Sequence, residues 1–153
     1  MSEFMQASHV FLDNPATTVE EVLSFLSEKA VELGIADDAV AVLDAFHKRE
    51  EEGSTGMVNG FSIPHAKSTA IKSAAVIVVK FSGEIADWET MDEEKVKTAI
   101  SLLVPGAEAG TTHLKLLSKV AVMLMQEDFR SSVVSSSDPE AIAALINKNL
   151  EEE

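Results

Sequence analysis

The 153-residue chain carries 26 acidic against 12 basic residues, a net charge of −14 and a pI near 4.6. That balance argues against partners such as a nucleic-acid backbone or an anionic membrane surface, which need clustered Lys and Arg. With no cysteine, the chain also lacks a disulfide framework, a thiolate metal site and a cysteine nucleophile, and its length suits one domain with a single sizeable core.

The stretch "MSEFMQASHVFLDNP" has no basic region followed by an apolar run, so it does not read as a signal peptide. The strongest apolar run, "AAVIVV" at 74–79, is far short of the roughly 20 residues that span a bilayer. No membrane insertion and a cytoplasmic location are therefore expected. "HVFLD" (9–13) reads as a first strand, ended by Asn14-Pro15. "TTVEEVLSFLSEKAVELG" follows as a helix: Thr17 and Glu20, or Thr18 and Glu21, have capping-box spacing, and Gly34 suits the stop. A second helix is predicted from about Asp37, with Val40, Leu43 and Phe46 toward the core and "HKREEE" at its end.

Residues 53–68, "GSTGMVNGFSIPHAKS", combine Gly53, Gly56, Gly60 and Pro64, a composition that predicts irregular strand and loop around a site. "AAVIVVKF" (74–81) is a strand buried on both faces, and "KTAISLLVP" (97–105) reads as another. "SGEIADWETMDEEK" between them is read as a turn-rich connection. "TTHLKLLSKVAVMLMQEDF" is a helix with Leu114, Leu117, Ala121 and Leu124 on one side, widened by Leu116, Val120 and Met123. A last helix starts at "SSDPEAIAALINKNL", where Ser137 or Asp138 can cap and Pro139 fits the first turn. The class is α/β, a single mixed β-sheet flanked by helices, as one domain over residues 1–153 with 151–153 expected as a disordered acidic tail.

Three side chains suggest chemistry. His65 follows Pro64, which stiffens the backbone, and precedes Ala66, Lys67 and Ser68; the stretch reads as a loop presenting its imidazole, anchored by Ile63. His113 falls at a predicted helix start, beside backbone N–H groups that favour an anion. Arg49 ends the second helix, and a guanidinium matches phosphate oxygens, although a surface ion pair with Glu50 to Glu52 would account for it equally. By the same local reasoning His65 could occupy an ordinary turn, while His9 and His47 read as structural. Taken together, His65, His113 and Arg49 point to phosphoryl handling, with a neutral imidazole as nucleophile. The glycines do not form G-x-x-x-x-G-K-[ST], so direct use of ATP is not supported.

"REEEGSTGMVNGFSIPHAKS" (49–68) resembles the active-site signature of the enzyme IIA components, fructose/mannitol type, of the phosphoenolpyruvate-dependent sugar phosphotransferase system. "LLVPGAEAGTTHLKLLSKVAVML" (102–124) resembles that family's second block, and the likeness runs from the first helix to the last. The resemblance implies that His65 accepts a phosphoryl group from phosphorylated HPr, the general phosphocarrier, and that His113 contacts it. It further implies that Arg49 neutralises its charge and that Thr55, Gly56 and Gly60 belong to the loop shaping the pocket. No cofactor and no metal are implied. The group would pass to a cysteine of a IIB component on another chain, which works with a membrane IIC. Val58, where a glycine is common, and Phe61-Ser62, in place of Ile-Ala, depart from the pattern.

Two other readings compete. A nitrogen-type regulatory IIA paralogue would share the fold and the phosphorylated histidine but bind target proteins according to its phosphorylation state. A metal-dependent hydrolase would need about three protein ligands, and no H-x-x-x-H cluster is present. The acidic surface suggests that HPr docks through a neutral or basic face onto apolar residues such as Phe61 and Ile63.

Overall fold

The computed structural model describes residues 5–108 and 114–151. A short 3-10 turn (Ala7–His9) leads into β1 (Val10–Asn14), and the Asn14 side chain accepts from the Ala16 N–H across Pro15 (2.9 Å). α1 (Val19–Glu32) opens with the capping box in its Thr18/Glu21 form: the Glu21 N–H donates to the Thr18 hydroxyl, and the Thr18 N–H donates to the Glu21 carboxylate. α2 (Ala39–Glu51) is capped by Asp38, which accepts from the N–H groups of Val40 and Ala41. Its buried face is Val42 and Phe46, while Val40, expected in the core, is 69% exposed at the first turn. Val42 and Phe46 are four positions apart and share one face, and Val40 falls off their stripe.

β2 (Phe61–Ser62), β3 (His65–Ser68), β4 (Ala75–Ile85) and β5 (Val96–Pro105) complete one five-stranded sheet. β1 runs parallel to β4, β4 antiparallel to β5, and β2 and β3 both lie parallel along the outer side of β5. β4 extends past the predicted stretch to Ile85, opposite Val96, through an irregular register, so the connection to β5 is shorter than the sequence suggested. Alternation along the central strands divides the core. Ile77, Val79, Ala99 and Leu103 face α1 and α2, while Val76, Val78, Ile100 and Leu102 face the other helical layer.

That second layer holds α3 (Leu114–Leu124), α4 (Glu127–Ser135) and α5 (Pro139–Glu151). α3 buries Leu116, Val120, Met123 and Leu124, but Leu114 is 62% exposed. The single helix expected here divides after Leu124. Met125 and Gln126 turn back to the carbonyls of Val122 and Met123, and the Arg130 guanidinium takes the Leu124 carbonyl. The break lets α4 lay Phe129 and Val133 into the same core. Lys80 then closes α4, its ammonium donating to the carbonyls of Val133, Val134 and Ser136 at 2.7, 2.9 and 2.7 Å. Asp138 caps the start of α5 by accepting from the Glu140 N–H, and Pro139 is its first residue. The helix continues through Glu151, and residues 152 and 153 lie outside the described residues. Among the described residues no helix is long and apolar enough to cross a membrane.

Candidate functional site

Pro64 has no N–H to give to a ladder, so it divides the outer edge of the sheet into β2 and β3. Its carbonyl still accepts from the Leu102 N–H (3.0 Å), which keeps the chain in register, and His65 pairs with Leu102. His65 therefore begins a strand, and it is only 4% exposed. The loop presentation expected from the glycine and proline content is replaced by a ring held in a cleft. Strand alternation sends Ala66 into the core under α1 and α2 and turns His65 the other way.

Two adjoining clefts meet at this ring. One is lined by Ala45, Lys48, Arg49, Glu52, His65 and Lys67. The other is lined by Arg49 and His65 with Thr55, Met57, Ile63, Leu117 and Ala121 among its walls. The site is thus a gap at the sheet edge between the end of α2 and the flank of α3. Three cations surround the first cleft, although the chain as a whole carries a charge of −14.

Both ring nitrogens have defined partners. Nδ1 lies 2.9 Å from the Ile63 carbonyl, and since a carbonyl can only accept, Nδ1 carries the proton. Nε2 then presents its lone pair, and it accepts from Nε of Arg49 at 2.9 Å. Another nitrogen of the same guanidinium donates to the Gly53 carbonyl (2.7 Å), fixing its plane. Among the described residues no ion pair joins Arg49 to Glu50, Glu51 or Glu52, so the surface-pair account of this arginine does not hold.

The glycine-rich segment is built as a brace. The Thr55 N–H and hydroxyl both donate to the Glu50 carboxylate, and the Thr55 carbonyl accepts from the Ile63 N–H (2.9 Å). Gly56 packs against the backbone of the 89–94 loop, where an added Cβ would stand 2.1 Å from the Glu89 carbonyl oxygen. Gly60 has φ +83°, and its carbonyl takes the N–H groups of Lys97 and Thr98. The Met91 N–H donates to the Met57 carbonyl, and Asp92 accepts from the Asn59 N–H (2.9 Å). That bond is the main reason the Asp92 carboxyl lies below the usual carboxylate range.

The structure brings His65, Arg49 and Thr55 together at one cleft, whereas Gly56 and Gly60 shape the loop without lining either cleft. His113 lies outside the described residues; Leu117 and Ala121, further along α3, do reach the cleft. Phe61 and Ile63, expected as docking residues, are 1% and 2% exposed and belong to the core. His9 is structural, its Nδ1 bonded to the Val76 carbonyl (3.0 Å), and His47 joins α2 to Glu20 of α1 (2.7 Å). Sequence reasoning passed over Glu50, whose only visible signal was its place beside Arg49.

The comparisons agree with this architecture. The chain is 34% identical over 142 residues to the "PTS system fructose-specific EIIA component" of Haloferax volcanii, covering 93% of this chain and 91% of that protein. It is 34% identical over 134 residues to the "PTS system 2-O-alpha-mannosyl-D-glycerate-specific EIIABC component" of Escherichia coli K12, covering 86% of this chain but spanning only 20% of that longer protein. Among solved structures, the "Nitrogen Regulatory Protein IIA-Ntr" of Neisseria meningitidis superposes with a TM-score of 0.85 at 26% identity, over 94% of this chain and 97% of the other. Residues 3–149 match the family described as "Phosphoenolpyruvate-dependent sugar phosphotransferase system, EIIA 2", and the chain belongs to that family.

Proposed function

We propose that this chain is a phosphoryl carrier of the sugar phosphotransferase system that accepts a phosphoryl group from phosphorylated HPr on Nε2 of His65. It then delivers the group to a cysteine of a separate IIB component. The observation that carries this reading is the division of labour on the imidazole: Nδ1–H is committed to Ile63, and the Nε2 lone pair points at a guanidinium.

In the accepting step the Nε2 lone pair attacks phosphorus, the bond to the donor's imidazole nitrogen breaks, and its electron pair returns to the donor. Positive charge develops on the His65 ring and reaches Nδ1–H, where the Ile63 carbonyl stabilises it. Arg49 leaves Nε2 as the new bond forms and its N–H groups take the phosphoryl oxygens, with Lys48 and Lys67 lending positive charge at the same cleft. His113 is proposed as a second contact to the group. In the delivering step a thiolate of IIB attacks phosphorus and the electron pair of the N–P bond returns to Nε2. Thr55, Gly56 and Gly60 act by holding the loop. The work is done as a single domain, alongside a membrane IIC.

Incubation with phosphoenolpyruvate, enzyme I and HPr tests the reading. An acid-labile, base-stable phosphoryl group should appear on His65, and equal labelling of His65→Ala would overturn it. The similarity to the nitrogen-regulatory protein favours one alternative, a regulator that binds targets according to its phosphorylation state. Sugar phosphorylation in a mixture with cognate IIB and IIC supports uptake; its failure, with labelling intact, supports the regulator.

A further inference from the structure

Consecutive residues of a helix project about 100° apart, so Arg49 and Glu50 leave the end of α2 in different directions. Arg49 reaches Nε2 of His65 directly. From Glu50 a short chain of hydrogen bonds starts at the carboxylate and ends at Nδ1 of the same ring. The Glu50 oxygens take the Thr55 N–H and the Thr55 hydroxyl. The Thr55 carbonyl takes the Ile63 N–H at 2.9 Å, and the Ile63 carbonyl takes Nδ1–H at 2.9 Å.

We propose that Glu50 is a positioning residue that selects the tautomer of His65, acting through Thr55 and Ile63 to keep the proton on Nδ1 and the lone pair on Nε2. The proposal rests on the carrier reading above for its consequence, though not for its geometry. An ionised carboxylate only accepts, so its two oxygens fix both donors of Thr55 without ambiguity. Thr55 and Ile63 are 3% and 2% exposed, so water has little access with which to replace these bonds. The peptide between them and the ring is consequently aimed by Glu50. If that peptide tilts, the Ile63 carbonyl no longer meets Nδ1, and only the Arg49 donor at Nε2 is left to favour the Nδ1–H tautomer over the other. With the proton on Nε2 no lone pair is available at the position facing Arg49. Outer-shell partners of an active imidazole commonly act in this manner.

The test reads the tautomer directly, from the ¹⁵N chemical shifts of the His65 ring in the unphosphorylated protein. Glu50→Gln supplies one acceptor oxygen for two donors, and Thr55→Val removes the hydroxyl. Both should move His65 from the Nδ1–H form toward a mixture and slow acceptance from phosphorylated HPr by about 10-fold or more. Thr55→Ser, which keeps the hydroxyl, should recover the tautomer and most of the rate that Thr55→Val loses. A plain structural brace would lower stability and leave the ring shifts unchanged, and that result in either variant would overturn the proposal. Should Glu50→Gln fail to fold, the Val and Ser variants at position 55 decide the matter by the same shifts. The two ideas fail separately. Unchanged shifts with intact labelling remove the role of Glu50 alone, whereas altered shifts with no labelling of wild-type His65 remove the carrier reading alone.

Discussion

The Nε–H of Arg49 donates to Nε2 of His65 over 2.9 Å while the same guanidinium grips the Gly53 carbonyl. A lysine has the charge but not the planar fork, so it cannot hold both acceptors in one orientation. Arg49→Lys should therefore fold normally and accept phosphoryl groups about 10²-fold more slowly, the scale expected when one donor to a developing charge is lost. Rapid-quench labelling by phosphorylated HPr checks this. A rate within a factor of about two of wild type would show that charge alone suffices.

Acceptance should also require a neutral His65 ring, so acidification should slow it. Protonated Nε2 has no lone pair for phosphorus, and it would set a second cation against the Arg49 guanidinium. Initial labelling rates measured from about pH 8 to about pH 5 test the sign. A flat profile, with HPr and enzyme I not limiting, would contradict an imidazole nucleophile.

Gly56 has an ordinary φ but no space, since the Glu89 carbonyl oxygen occupies the place of a side chain. Gly56→Ala must separate the 53–60 loop from the 89–94 loop, costing about 1–3 kcal/mol as in other overpacked sites. Urea unfolding measures the loss. Because Thr55 is the neighbour of Gly56, acceptance by His65 should slow as well.

Lys80 supplies the donor that three carbonyls at the end of α4 share. Burial holds its ammonium below the ordinary lysine range, with Asp13 working in the opposite direction. Lys80→Met keeps the apolar stem and removes the donor, so stability should drop by about 1–3 kcal/mol. Amide exchange should quicken first in α4, ahead of the β4 and β5 amides.

His9 gives the fold a pH dependence of defined sign. Burial is the main influence on its ring and lowers its pKa from 6.5, partly offset by the bond to the Val76 carbonyl. As pH falls through about 6.5, unfolded chains bind a proton that folded chains do not, so stability declines until the folded-state value is passed. His9→Gln keeps a donor for Val76 and should flatten that part of the slope. Urea midpoints at about pH 7.5 and about pH 5.5 compare the two proteins.

Much of the scaffold was legible because its signals are local. The Thr18/Glu21 box, the cap at Asp138 and the β-branched run of β4 each depend on residues a few places apart. The candidate site was legible in its residue types more than in its geometry. Glycine and proline content describes a chain in isolation, so it could not show that β5 would pair with His65 and draw it into a cleft. The phase of α2 went unread because Val40 and Val42 are both apolar and only packing against the sheet and α1 decides that Val42, with Phe46, is the buried one. α4 was missed because "RSSVVSSS" is poor in strong helix formers, and burial of Phe129 and Val133 supplies what propensity does not. The role suggested for Glu50 depends on bonds that link residues 50, 55, 63 and 65 around the loop, a closure no local pattern records.

Pro64 has a consequence beyond aiming a histidine. β2 and β3 form an outer rim of the sheet, the kind of border that can zip onto the same border of another copy. A proline nitrogen without an N–H in the middle of that rim, its division into two short segments and the exposed Lys67 deny a second chain a continuous row of partners. The 55–57 segment closes part of what remains, the Met57 N–H donating to the Phe61 carbonyl and the Ile63 N–H to the Thr55 carbonyl, so the edge offers little on which a filament could grow.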